Sequence, residues 1–157
     1  MWHYTNAVDA AAIRHEGRLR AYPVGVKAAL KDKAVLLKPA VWFTVSETPA
    51  QTVLAKAIVK GWPLVPGMFW RFGVSEDVAP LTLREWAEKH GYPFTRFRLM
   101  AKSAEKIGES WKNWRLTTGD VTADQWSTVE VMTGFKRWAT VDKSDNLPAE
   151  YSLLSFY

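Results

Sequence analysis

A few polar side chains stand where β-strands would hold them for chemistry. His3 and Thr5 share one face of a short strand, Trp2–Thr5, by its period of two. Trp42, Thr44 and Ser46 share one face of a second strand, Val41–Val45, with Val41, Phe43 and Val45 on the other. Glu130 alternates with Val129 and Val131 in the clearest strand, Trp126–Met132, and period two puts it with Trp126 and Thr128. A carboxylate in mid-strand among apolar residues is costly unless water or a bound group meets it. Glu130 therefore reads as an employed acid or as a residue on the wet face of an antiparallel sheet. His3 carries the same two readings, functional or surface.

Other chemistries have no residues to carry them. The chain has no P-loop and no GxGxxG after a strand, so neither phosphate-cradling fingerprint is present. Its histidines, His3, His15 and His90, form no HExxH and no pair at metal spacing, so no metal site is expected. There is no GxSxG elbow. The absence of cysteine removes thiolate chemistry and disulfides and fits a reducing cytoplasm, the expected location. No apolar run approaches the ~20 residues of a membrane helix, and Met1–Thr5 has neither a basic nor an apolar leader region, so no membrane partner is expected.

Composition sets the frame for these residues. The 157 residues are 48% hydrophobic and 24% charged, without repeats, which predicts one globular domain over 1–157. A net charge of +5 favours polyanionic partners. Nine tryptophans either fill the core or stack on a flat ligand, a base or nicotinamide.

The elements that must position the polar residues follow from capping and periodicity. Asn6 caps a helix running to Glu16, with Gly17 as its stop. Residues 20–39 form a long basic connection carrying Arg20, Lys27, Lys31, Lys33 and Lys38. After the strand at Val41, Thr48-Pro49-Ala50-Gln51 opens a helix that ends at Gly61. Met68–Val74 reads as a buried strand. Thr82-Leu83-Arg84-Glu85 is a second capping box whose helix stops at Gly91, and residues 94–107 form a basic helix. Trp126–Met132 and Phe135–Val141 flank a hairpin-like step at Thr133-Gly134. Strands and helices mixed early, then strands late, predict an α+β fold.

His3-Tyr4-Thr5, a helix ending at Gly17, Val41-Trp42-Phe43-Thr44 leading into a capped helix, and a late strand bearing Glu130 together resemble the ADP-ribosyltransferase fold. The likeness is greatest to its histidine class, which opens with a His-x-Thr strand and includes small bacterial toxins and phage proteins. It runs through most of the chain in order and spacing. The segment holding Trp111 and Trp114, followed by Trp126-x-x-Val129-Glu130-Val131, is similar to the C-terminal part of such proteins.

The resemblance implies two small antiparallel sheets with an NAD cleft between them. NAD would be the substrate of a glycosyl-type transfer of ADP-ribose, with nicotinamide released. His3 would bond the adenosine-side ribose, and Tyr4 would offer backbone groups to the nicotinamide amide. Thr5 would complete the first motif at the NAD site, and Trp42, Phe43 or Tyr22 would stack on nicotinamide. Thr44 would help orient Glu130, the catalytic carboxylate, so His3, Thr44 and Glu130 are expected to converge. The implied partners are a macromolecular acceptor, protein or nucleic acid, and an antitoxin or inhibitor. Two departures stand out: no tyrosine lies between Val41 and Gly61, and Thr128 replaces the acid or amide that arginine-modifying members carry two residues before the glutamate.

Two other readings remain open. Trp70-Arg71-Phe72, Arg96-Phe97-Arg98 and Trp111-Lys112-Asn113-Trp114-Arg115 interleave aromatics with cations, as a non-catalytic nucleic-acid-binding protein would. An RNA 2′-phosphotransferase-like enzyme of the same fold would need several active-site arginines.

Overall fold

A computed structural model describes residues 1–47, 65–106, 108–134 and 137–143. The Thr48-capped helix expected to end at Gly61 lies outside the described residues, as do Phe135 and Lys136 of the last expected strand.

The fold is α+β with antiparallel sheets. Strand β1 (Trp2–Asn6) runs straight into α1 (Ala7–Glu16). Asn6 accepts from the Asp9 amide at 2.9 Å to start the helix, and Gly17 at φ 65° closes it. The basic connection is more structured than expected. After β2 (Arg18–Leu19) it holds β3 (Gly25–Val26) and β4 (Val35–Leu36), paired as a hairpin. Strands β5 (Val41–Thr44), β6 (Phe69–Val74) and β7 (Leu81–Thr82) follow, with Val45 left exposed beyond the end of β5.

Both bonds of the second capping box form, and Thr82 caps α2 (Leu83–Lys89). The expected basic helix splits into a 3₁₀ turn, Phe94–Phe97, and α3 (Arg98–Glu105). Strands β8 (Trp114–Thr117), β9 (Val121–Thr122), β10 (Trp126–Gly134) and β11 (Arg137–Val141) complete the described elements.

Seven strands form one sheet in the order β11-β10-β6-β1-β5-β8-β7, rather than the two sheets expected. It is nonetheless two halves held by one rung. β1 pairs with β6 over five residues, but with β5 only at Trp2↔Thr44. The two halves are covered on opposite faces. Behind β1, β6 and β10, the side chains of Trp70, Phe72, Val129 and Val131 pack with Ala10 of α1. In front of β5 and β8, Trp114 and Leu116 pack with Trp86 and Ala87 of α2 and Ala104 of α3. Val41 and Phe43 of β5 also belong to the rear core, so that core runs on behind the weakly paired seam.

Candidate functional site

The seam between β1 and β5 opens immediately after its single rung. There the carbonyl of Trp42 lies 2.9 Å from Nδ1 of His3, so an imidazole stands where the ladder would have continued. A carbonyl can only accept, so Nδ1 carries the hydrogen and Nε2 keeps its lone pair. Burial holds the His3 pKa below its usual 6.5, against the upward pull of the Trp42 carbonyl and Asp9. His3 is therefore a neutral acceptor at neutral pH, its ring edge-on to Phe43 at 5.9 Å.

Cavities lie on both sides of this imidazole. The first, about 200 Å³, is walled by Trp2, Tyr4, Trp42, Phe43, Thr44, Met100 and Trp114 together with His3. It is smaller than the roughly 300–1,000 Å³ of drug-sized pockets, so it accommodates one ring system and not a whole dinucleotide. The second, about 230 Å³, is more polar and includes Thr5, Asp9, Arg18 and Arg20 beside His3.

The strand register decides what shares a face. The rows Tyr4↔Arg71↔Glu130 and His3↔Phe72↔Val129 run straight across β1, β6 and β10. Glu130 therefore stands on the front with Tyr4, whereas His3 belongs to the opposite parity and reaches the first cavity only through the open seam. A bulge between Trp126 and Thr128 also corrects the simple alternation of β10. It turns Trp126 into the rear core, 4.9 Å from Phe72, and away from the face of Thr128 and Glu130.

Glu130 is neither wet nor isolated. Its Oε2 takes Nε of Arg71 at 2.7 Å and the terminal Nη2 at 2.5 Å, and both side chains are largely buried. No described residue bonds Oε1. The guanidinium is clamped between the rings of Trp2 at 3.8 Å and Trp138 at 4.5 Å, and it also reaches the Tyr4 hydroxyl at 3.5 Å. Tyr4 in turn donates toward the carbonyls of Ser46 and Glu47 at 3.1 and 2.9 Å. Burial is the main reason its pKa is pushed up to about 12.

Of the expected set, His3, Tyr4, Trp42, Phe43 and Thr44 line the first cavity. Thr5, buried on the rear, lines the second. Tyr22 lies at the second cavity's rim, 62% exposed, so it is absent from the wall that would hold nicotinamide. Glu130 does not converge with His3 and Thr44. It stands two interstrand spacings from β1, roughly 10 Å, with Arg71 and Trp2 on the side of the cavity.

Thr44 serves a different acid from the one expected. Its hydroxyl donates to Oε1 of Glu109 at 3.2 Å and accepts from the Ser46 amide at 3.0 Å. Glu109 is 3% exposed, receives a second bond from Asn113 at 3.2 Å, and has a buried Oε2 with no partner among the described residues. Sequence reasoning missed both Arg71 and Glu109. Arg71 was legible as a cation inside a buried strand; Glu109, in the loop after α3, gave no periodic signal.

No metal-binding cluster of acids and histidines occurs among the described residues, and no helix among them is long and apolar enough to cross a membrane. No family model, curated protein or solved structure matches the chain.

Proposed function

We propose that the chain binds NAD across the open seam and transfers its ADP-ribose to a macromolecular acceptor, releasing nicotinamide. The observation that carries this reading is the seam itself: a sheet parted between β1 and β5, with an aromatic one-ring cavity on one side of a neutral histidine and a polar cavity on the other. Nicotinamide occupies the first cavity against Trp42 and Phe43, with Tyr4 offering its backbone. The Nε2 lone pair of His3 accepts from a hydroxyl of the adenosine-side ribose. Arg18 and Arg20 at the second cavity face the pyrophosphate.

The reaction breaks the bond between the ribose anomeric carbon and the ring nitrogen, and its electron pair leaves with nicotinamide. A lone pair of the acceptor forms the new bond to that carbon, and the acceptor's proton passes to solvent. Positive charge builds on the ribose between these events. Oε1 of Glu130, with no bond from a described residue, is the carboxylate oxygen assigned to that charge. Over the roughly 10 Å between Glu130 and β1, a unit carboxylate acting on a unit cation contributes about 1.7 kcal/mol at an effective dielectric of 20. Arg71 beside Glu130 cancels part of that field, so the expected contribution is nearer ~1 kcal/mol, about fivefold in rate.

The test is release of free nicotinamide from NAD by the full chain. We expect turnover that falls about fivefold in Glu130→Gln, and NAD affinity that falls more in His3→Ala than in Glu130→Gln. A chain that neither binds NAD by calorimetry nor releases nicotinamide overturns the reading.

A further inference from the structure

We infer that the β3–β4 hairpin is a docking surface for single-stranded nucleic acid, which it holds beside the mouth of the seam. Calling that strand the ADP-ribose acceptor rests on the function proposed above; the binding itself does not.

The hairpin carries a disproportionate share of the charge. Residues 21–40 contain Lys27, Lys31, Lys33 and Lys38 against Asp32 alone, which makes three of the chain's five net positive charges. All four lysines are exposed, and none forms an ion pair with a described residue. Asp32 is occupied within the turn, accepting from the Ala29 amide at 2.9 Å. The field of the lysines is thus left for an outside anion.

The base of the hairpin is fixed while its tip projects. Val26 and Leu37 are buried against the α2–α3 core, Tyr22 bridges to Ala40, and the Leu37 amide bonds the Val24 carbonyl at 3.0 Å. Val24 itself lines the first cavity, so whatever lies along the lysines lies beside the seam. Leu30 at the tip is 85% exposed.

The surroundings favour a nucleic acid over other polyanions. The Tyr22 ring, 62% exposed at the foot of the hairpin, offers a base a stacking platform. The segment's four lysines are point charges that phosphates along a chain can share.

The experiment measures anisotropy of a fluorescein-labelled 12-nucleotide single strand with the full chain at 50–200 mM salt. Three to four phosphate contacts give a slope of log K against log salt of roughly −2 to −3. The combined Lys27→Gln, Lys31→Gln, Lys33→Gln and Lys38→Gln variant is expected to bind at least tenfold more weakly and to flatten the slope. Tyr22→Ala is expected to lose about fivefold or more without changing the slope. Nicotinamide release to water stays at the wild-type rate in the lysine variant. Unchanged oligonucleotide affinity in that variant, or tighter binding to polyglutamate or phosphatidylserine vesicles than to the oligonucleotide, overturns the inference. Lysine-dependent binding by a chain that releases no nicotinamide overturns only the transferase reading.

Discussion

Arg71 holds Glu130 through one oxygen only: its Nε and Nη2 both reach Oε2, at 2.7 and 2.5 Å. The guanidinium cannot swing away, because Trp2 and Trp138 cover its two sides at 3.8 and 4.5 Å. The carboxylate is thereby fixed in orientation with its other oxygen left over. A solvated sheet-surface glutamate would have neither property, so the choice between wet and employed resolves into a buried ion pair.

That pairing changes what Glu130→Gln should do to stability. Glutamine leaves Arg71 buried without its counter-charge, and breaking such a pair costs about 3–5 kcal/mol. We expect urea unfolding to show a loss in that range for Glu130→Gln, and a smaller one for the double variant Arg71→Met with Glu130→Met. A double variant less stable than both singles would mean the pair is net stabilising against an apolar replacement.

The buried imidazole makes stability fall in mild acid. The folded-state pKa of His3 lies below its usual 6.5, so the unfolded chain takes up the proton first as pH drops. The His3 contribution is fully present above pH 6.5 and is lost progressively as pH falls from there through the folded value. His3→Gln should remove this part of the slope in a set of unfolding curves between pH 5 and 8. Parallel pH profiles for the two proteins would show that the imidazole is as easily protonated folded as unfolded.

Thr44 and Glu109 should behave as a structural couple. Among the described residues, Thr44→Val deletes one of the two donors to the buried Glu109 carboxylate, whose Oε2 has no partner there. A cost of about 1–3 kcal/mol is expected, with Thr44→Ser retaining most of the stability. Thermal unfolding of the two variants distinguishes a lost hydroxyl from a lost methyl: equal losses would assign the effect to packing.

Gly73 leaves room for Thr128, Ser127 and the Trp2 ring. A Cβ there would come within 2.7 Å of Thr128 Cγ2 and 3.0 Å of the Trp2 ring. Gly73→Ala should cost about 1–3 kcal/mol and displace Trp2 from Arg71, seen as a changed tryptophan emission. Adding Thr128→Ala removes the closest clash and should recover part of the loss. No recovery would show that the Trp2 contact, not Thr128, sets the limit.

Local chemistry was legible in the chain wherever one residue decides the outcome by itself. Asn6, Gly17 and the Thr82–Glu85 box start and stop helices through bonds made within four residues, and the structure contains each of them. Alternation likewise marked β1, β5 and β10, and β6 stood out as an apolar run because both of its faces are buried. What alternation cannot report is the partner strand. The bulge that turns Trp126 inward, the row joining Tyr4, Arg71 and Glu130, and the single rung at Trp2↔Thr44 are all decided by strands 40 to 130 positions apart settling against one another. The same holds for Glu109, whose loop carries no periodic signal and which meets Thr44 across 65 residues only when α3 packs on β5 and β8. Sequence by itself determined the elements and the polar residues they carry. Tertiary structure alone decided which of those residues meet, because register and seam geometry depend on how strands distant in the chain pair and share one rear core.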